Sequence, residues 1–140
     1  MRSSERQHFY ESMGETLVYK TGTANATAAE VVAAPGASKR LRVKAFRLVA
    51  AQDATGAAAD IALNAIWLAD GTTAKMAVAI QPGMPDTVTN TAYRYIDTGI
   101  VELPTKGWRL TANTALNIDF TATAALLTYQ LNVWYDVVSA

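Results

Sequence analysis

Leu126-Leu127-Thr128-Tyr129-Gln130-Leu131-Asn132-Val133-Trp134-Tyr135-Asp136-Val137-Val138, close to the end of a 140-residue chain, decides the fold. Every odd position from Leu127 to Val137 is apolar or aromatic, and Thr128, Gln130, Asn132 and Asp136 stand between them. That is the two-residue period of a strand with one face in a core and one in water. At about 3.3 Å per residue the run would extend roughly 40 Å, against a usual strand of about 5 or 6 residues. Such a strand crosses a whole domain, and its partners must be found upstream.

Lys39-Arg40-Leu41-Arg42-Val43-Lys44-Ala45 alternates with Leu41, Val43 and Ala45 inward and the basic residues outward. The phase then slips, because Phe46, Leu48 and Ala50 are apolar on the opposite parity, which predicts a β-bulge near Ala45-Phe46. Thr16 to Lys20 and Thr27 to Val32 read as a loose hairpin, and Ala34-Pro35-Gly36-Ala37 reads as a turn. Asp60 to Leu68 is expected to be a strand with Trp67 in the core, closed by an Asp70-Gly71 hairpin turn. The return run Lys75 to Ile80 should place Met76, Val78 and Ile80 on one face. Gln81 to Asp86 carries two prolines and cannot join a ladder, so it is a candidate contact loop bearing Met84. Tyr93 to Leu103 resumes the β pattern with Gly99 at a bulge or close approach. Pro104 to Gly107 turns the chain, and Leu116, Ile118 and Phe120 share one face. About eight strands and no convincing helical period give an all-β chain, a single antiparallel sandwich or barrel over residues 15–140.

A chain of this length removes roughly two-thirds of its unfolded surface from water and needs no metal or disulfide to fold. There is no Cys, and the formal charge is zero, so neither a thiolate site nor the global footprint of a nucleic-acid binder is present. No run is apolar and long enough to suggest a signal peptide or a bilayer-spanning helix, and the chain is expected to be made in the cytosol with no membrane partner. His8 is the one histidine, which leaves no Ser-His-Asp, His-Glu-x-x-His or His-rich metal constellation, and phosphate-loop glycines are absent. Asp97, Glu102 and Asp119 lie on different expected strands, where solvated strand faces are favoured over a glycosidase pair. The expectation is a chain that is not an enzyme and takes no cofactor.

Surface recognition is the remaining class of function. Residues 1–14 are polar and mixed in charge, with Phe9, Tyr10 and Met13 the large apolar groups, and read as an arm that could order on a neighbouring subunit through Phe9 and Tyr10. Arg40, Arg42 and Lys44 form a basic stripe, read as a solvated face or a docking site for an acidic partner. Trp134 on the wet face of the last strand and Trp108 after a turn glycine are candidate interface anchors, with Tyr93, Arg94 and Tyr95 beside them. Stacking of Trp108, Trp134 and Tyr93 on host glycans is the competing use.

Val32-Ala33-Ala34-Pro35-Gly36-Ala37-Ser38-Lys39-Arg40-Leu41-Arg42-Val43, Gly99-Ile100-Val101-Glu102-Leu103-Pro104 with Gly107-Trp108, and Thr114-Ala115-Leu116-Asn117-Ile118 together resemble small β-sandwich proteins of tailed bacteriophages. The likeness covers roughly residues 32 to 138, with departures in the N-terminal extension and in an Ala-rich 53 to 90 region. The resemblance implies a jelly-roll-like virion protein that decorates or cements capsids, commonly as a homotrimer bound to the major capsid protein. It implies no catalytic residues. A tail or fibre-tip module that recognises host glycans is the alternative.

Overall fold

The computed structural model describes residues 15–52, 64–72, 74–81, 94–104, 106–121 and 123–140. These residues form ten strands and no helix: β1 (Thr16–Ala24), β2 (Ala29–Val32), β3 (Lys39–Gln52), β4 (Asn64–Asp70), β5 (Ala74–Gln81), β6 (Arg94–Asp97), β7 (Val101–Glu102), β8 (Trp108–Arg109), β9 (Leu116–Phe120) and β10 (Ala124–Ser139). All pair antiparallel, in two sheets. The first runs β1-β10-β3 with β6, β7 and β8 along the far side of β3, and the second runs β2-β9-β4-β5. The expected all-β class and two-sheet layering are both present.

β10 explains its own length. Thr16 to Thr23 pair with Tyr135 to Thr128 on one side, and Gln52 to Lys39 pair with Leu127 to Ser139 on the other, so its backbone donors and acceptors are met from both flanks. Along the far side of β3, β6 pairs with Val49 to Gln52, β7 with Ala45 and Phe46, and β8 with Arg42 and Val43. These three short strands are one edge lane broken twice. The first break is at Gly99, whose φ of 62° leaves strand geometry; the second is the turn closed by Gly107 N–H to the Pro104 carbonyl at 3.2 Å. Each sheet therefore has four lanes, and the pairing is nested: β1 with β10, β2 with β9, β3 with the broken lane, β4 with β5.

The phase slip in β3 is real and lies at Lys44. Val43 faces Tyr135 while Ala45 faces Trp134, so Lys44 is the extra residue, and its carbonyl takes the Leu103 N–H at 2.9 Å. Leu41 and Val43 before it, and Phe46, Leu48 and Ala50 after it, are all buried in the core. Ala45 turns instead to the outer face, where it forms a small cluster with Trp134, Leu17 and Ile100. Between the sheets pack Leu127, Tyr129, Leu131 and Val133 of β10 against Leu116, Ile118 and Phe120 of β9 and Ile66 and Leu68 of β4. The Phe120 and Tyr129 rings bridge the layers with centroids 5.3 Å apart. Each fully buried Leu or Ile contributes about 1.5–3 kcal/mol.

Three local expectations fail. Residues 16–20 and 27–32 do not make a hairpin, because β1 pairs with β10 and β2 with β9, in different sheets. Between them Ala24 is buried, the Asn25 side chain accepts the Thr27 N–H at 2.9 Å, and Thr123 Oγ1 accepts the Ala26 N–H at 3.0 Å, which turns the chain across the sandwich. Trp67 is half-buried and lies outside the core, since its neighbours Ile66 and Leu68 take the inward face. Ile80 is 59% exposed: Ile66 faces Ala79 and Trp67 faces Ala77, so the β4–β5 ladder skips Val78 and Ala79 takes the inward position expected of Ile80. A β4–β5 hairpin forms where Asp70-Gly71 signalled one, but not with the expected two-residue loop: Asp70 stays in the ladder opposite Ala74, and Gly71, at a φ of 60°, opens a three-residue connection.

Candidate functional site

The outer face of the first sheet carries the most organised set of polar side chains among the described residues. Alternation along three adjacent strands puts Tyr19, Asn132 and Arg47 in one row across β1, β10 and β3, and the next row holds Gln130, Val49 and Asp97. Tyr19, Arg47, Val49, Gln130 and Asn132 line a depression of about 80 Å³. Sites that enclose a drug-sized ligand run to roughly 300–1,000 Å³, so this is a dish that could hold one face of a small group. Tyr19 is 58% exposed.

Two ion pairs stiffen this face. Arg47 donates through Nε to Asp97 Oδ1 at 3.1 Å and through a terminal nitrogen to Oδ2 at 2.7 Å. Asp97 also accepts the Gly99 N–H at 2.9 Å. The Arg47 hydrogen bonds, and next the Gly99 N–H, hold the Asp97 carboxyl below the usual carboxylate range, while the same contact raises Arg47. Farther along β3, Arg42 donates through Nε to Asp136 Oδ1 at 2.8 Å and through a terminal nitrogen to Oδ2. That fork raises the Arg42 pKa, and the charge of Glu15 adds to it. Forked Arg–carboxylate pairs fix orientation as well as charge.

The sequence-derived interface residues are dispersed by the structure. Arg42 is committed to Asp136, so the basic stripe is interrupted at its middle member; among the described residues neither Arg40 nor Lys44 has an ion-pair partner. Trp134 is 1% exposed, closed over with Ala45, Leu17 and Ile100, so its ring is not offered to a partner by the isolated chain. Trp108 is half-buried and packs on the core beside Val43. Arg94 and Tyr95 begin β6, opposite Gln52 and Ala51. Phe9, Tyr10, Met84 and Tyr93 lie outside the described residues, as does the whole 1–14 segment. Of the three carboxylates weighed as catalytic candidates, Asp97 and Glu102 are on the broken lane of the first sheet and Asp119 is in the second.

Tyr19, Arg47, Gln130 and Asn132 were not singled out from sequence. Their signal was the even parity of Gln130 and Asn132 on the last strand, but the register that brings Tyr19 and Arg47 beside them spans more than 80 residues of chain. Asp70, buried on β4, accepts both the N–H and the hydroxyl of Thr111 at 2.9 and 2.8 Å, a bond that ties the turn before β9 to the second sheet. No protein-family model and no curated protein matches the chain.

Proposed function

We propose that this chain is a jelly-roll capsid decoration protein that docks, as a homotrimer, on the outer surface of a bacteriophage major capsid protein and cements the shell. The observation that carries the reading is the nested lane order, β1-β10-β3 with the broken lane facing β2-β9-β4-β5. A long hairpin rolled up so that its first and last strands pair produces this order, and double-sheet jelly rolls of eight strands recur in viral capsid and lectin domains. This is an analogy of fold, and the docking function is argued from it together with the sequence resemblance.

A decoration protein works by mass action. It binds the assembled lattice and not the dissociated subunits, so each docked copy stabilises the shell without any bond being made or broken. A surface stiffened by forked Arg–Asp pairs suits that role, because little conformational freedom remains to be lost on docking. The arm of residues 1–14 and the positions Arg40 and Lys44 are assigned to the capsid contact. Binding of the purified chain to undecorated capsids tests this. Deleting residues 1–14 should lower occupancy while leaving the thermal unfolding transition in place, and full occupancy after deletion would remove the arm from the contact.

A further inference from the structure

We infer that the dish on the outer face of the first sheet binds a neutral, polyhydroxylated ring, a saccharide unit stacked on Tyr19. Three features of the dish lead to this ligand class. Tyr19 stands on β1, and two strand spacings away, about 9–10 Å, Arg47 stands on β3, so an exposed aromatic ring and a guanidinium wall a floor made by β10. That floor presents the amides of Gln130 and Asn132, beside Val49. Each amide offers both donors and an acceptor, which matches hydroxyl groups, themselves donor and acceptor at once.

The charge argument sets the sign of the ligand. Arg47 is held in a two-pronged bond to Asp97, so the pair brings no net charge to the rim. An anion gains little from a guanidinium already neutralised, and a cation meets no free carboxylate there. A sugar face carries aliphatic C–H groups that lie on an aromatic ring and hydroxyls at its edge that reach amides, and both needs are met within one depression. The modest size of the dish implies recognition of a single residue of a glycan, with weak affinity multiplied when several copies bind one chain. The site stands independently of the capsid reading, since Tyr19 lies neither in the arm nor on the basic positions.

The test is nitrogen-15 NMR of the full chain titrated separately with lactose, maltotriose and triacetylchitotriose, with 3′-sialyllactose as the charged counterpart. The expected result is saturable shifts at Tyr19, Arg47, Gln130 and Asn132 with at least one neutral sugar. Tyr19→Ala should weaken that binding about tenfold without shifting the melting temperature, while Tyr19→Phe, which keeps the ring, should stay within about threefold. The inference is overturned by the absence of saturable shifts with all three neutral sugars, by shifts centred elsewhere, by a Tyr19→Ala variant that binds as well as the parent, or by preferential binding of the sialylated sugar. None of these outcomes alters capsid occupancy, so the two readings fail separately.

Discussion

Arg47 on β3 holds Asp97 on the broken edge lane through two parallel hydrogen bonds, reaching diagonally two residues from direct register, since Asp97 faces Val49. The same carboxylate caps the Gly99 N–H where the lane leaves the sheet. One side chain thus fastens the end of β6 to the sheet and shapes the bend after it.

The Asp97 contact makes stability depend on acid in a defined direction. Its folded pKa lies below the unfolded value of about 3.9, so its contribution is complete above that value and is lost as pH falls through the depressed folded one. Both partners are about one-third exposed, so solvent screening keeps the pair within about 0.2–1 kcal/mol. Asp97→Asn should lower the melting temperature slightly at pH 7, and the gap from the parent should narrow as pH falls below the ordinary carboxylate range and close once the depressed Asp97 group is protonated. Thermal melts across pH 2 to 7 measure this.

The Arg42–Asp136 fork is less exposed, at 22% and 25%, and should be worth more than its counterpart. Asp136→Asn is expected to cost about 1–2 kcal/mol by urea unfolding, more than Asp97→Asn.

Gly107 and Gly36 separate backbone strain from lack of room. Both have positive φ, 76° and 104°, but a Cβ at Gly107 would come within 2.5 Å of the Val43 carbonyl oxygen, whereas one at Gly36 meets nothing within 4 Å. Gly36→Ala should therefore cost only the conformational term, about 1–2 kcal/mol. Gly107→Ala must also displace β8 from β3, and should cost roughly 3 kcal/mol or more. Paired unfolding curves would read the difference directly.

Leu131 is fully buried at the centre of β10 and its neighbour Gln130 is exposed on the other face. Leu131→Ala should lose about 2–5 kcal/mol, and Gln130→Ala should fall within about 0.5 kcal/mol of the parent. Equal losses would mean that the strand has no distinct inner face.

β10 was legible because its alternation reports burial from Leu127 to Val133. From Trp134, where the register shifts, it does not: Trp134, on the parity read as wet, is covered by Ala45, Leu17 and Ile100, and Val137, on the apolar parity, is 48% exposed. The bulge in β3 was legible for the same reason, as a change of parity around Lys44. Pairing was not: Asn25 signals that the chain bends, Gly22 stays in β1 opposite Tyr129, and nothing local tells whether the chain returns to the same sheet or crosses to the other. Ile80 was misplaced because the skip at Val78 leaves no mark in composition, and Trp67 because its bulk outweighed the parity of Ile66 and Leu68. The basic stripe looked continuous because Asp136, which neutralises Arg42, is 94 residues away in sequence. The dish around Tyr19 was hidden behind the same non-local register.

The composition of tail-less virus heads tests the docking account most directly. Quantitative mass spectrometry should find this chain in a fixed ratio to the major capsid protein, with copies in multiples of three per capsomer cluster and retained after tails are removed. Its absence from such heads, or a handful of copies per particle that leave with the tail, would contradict it.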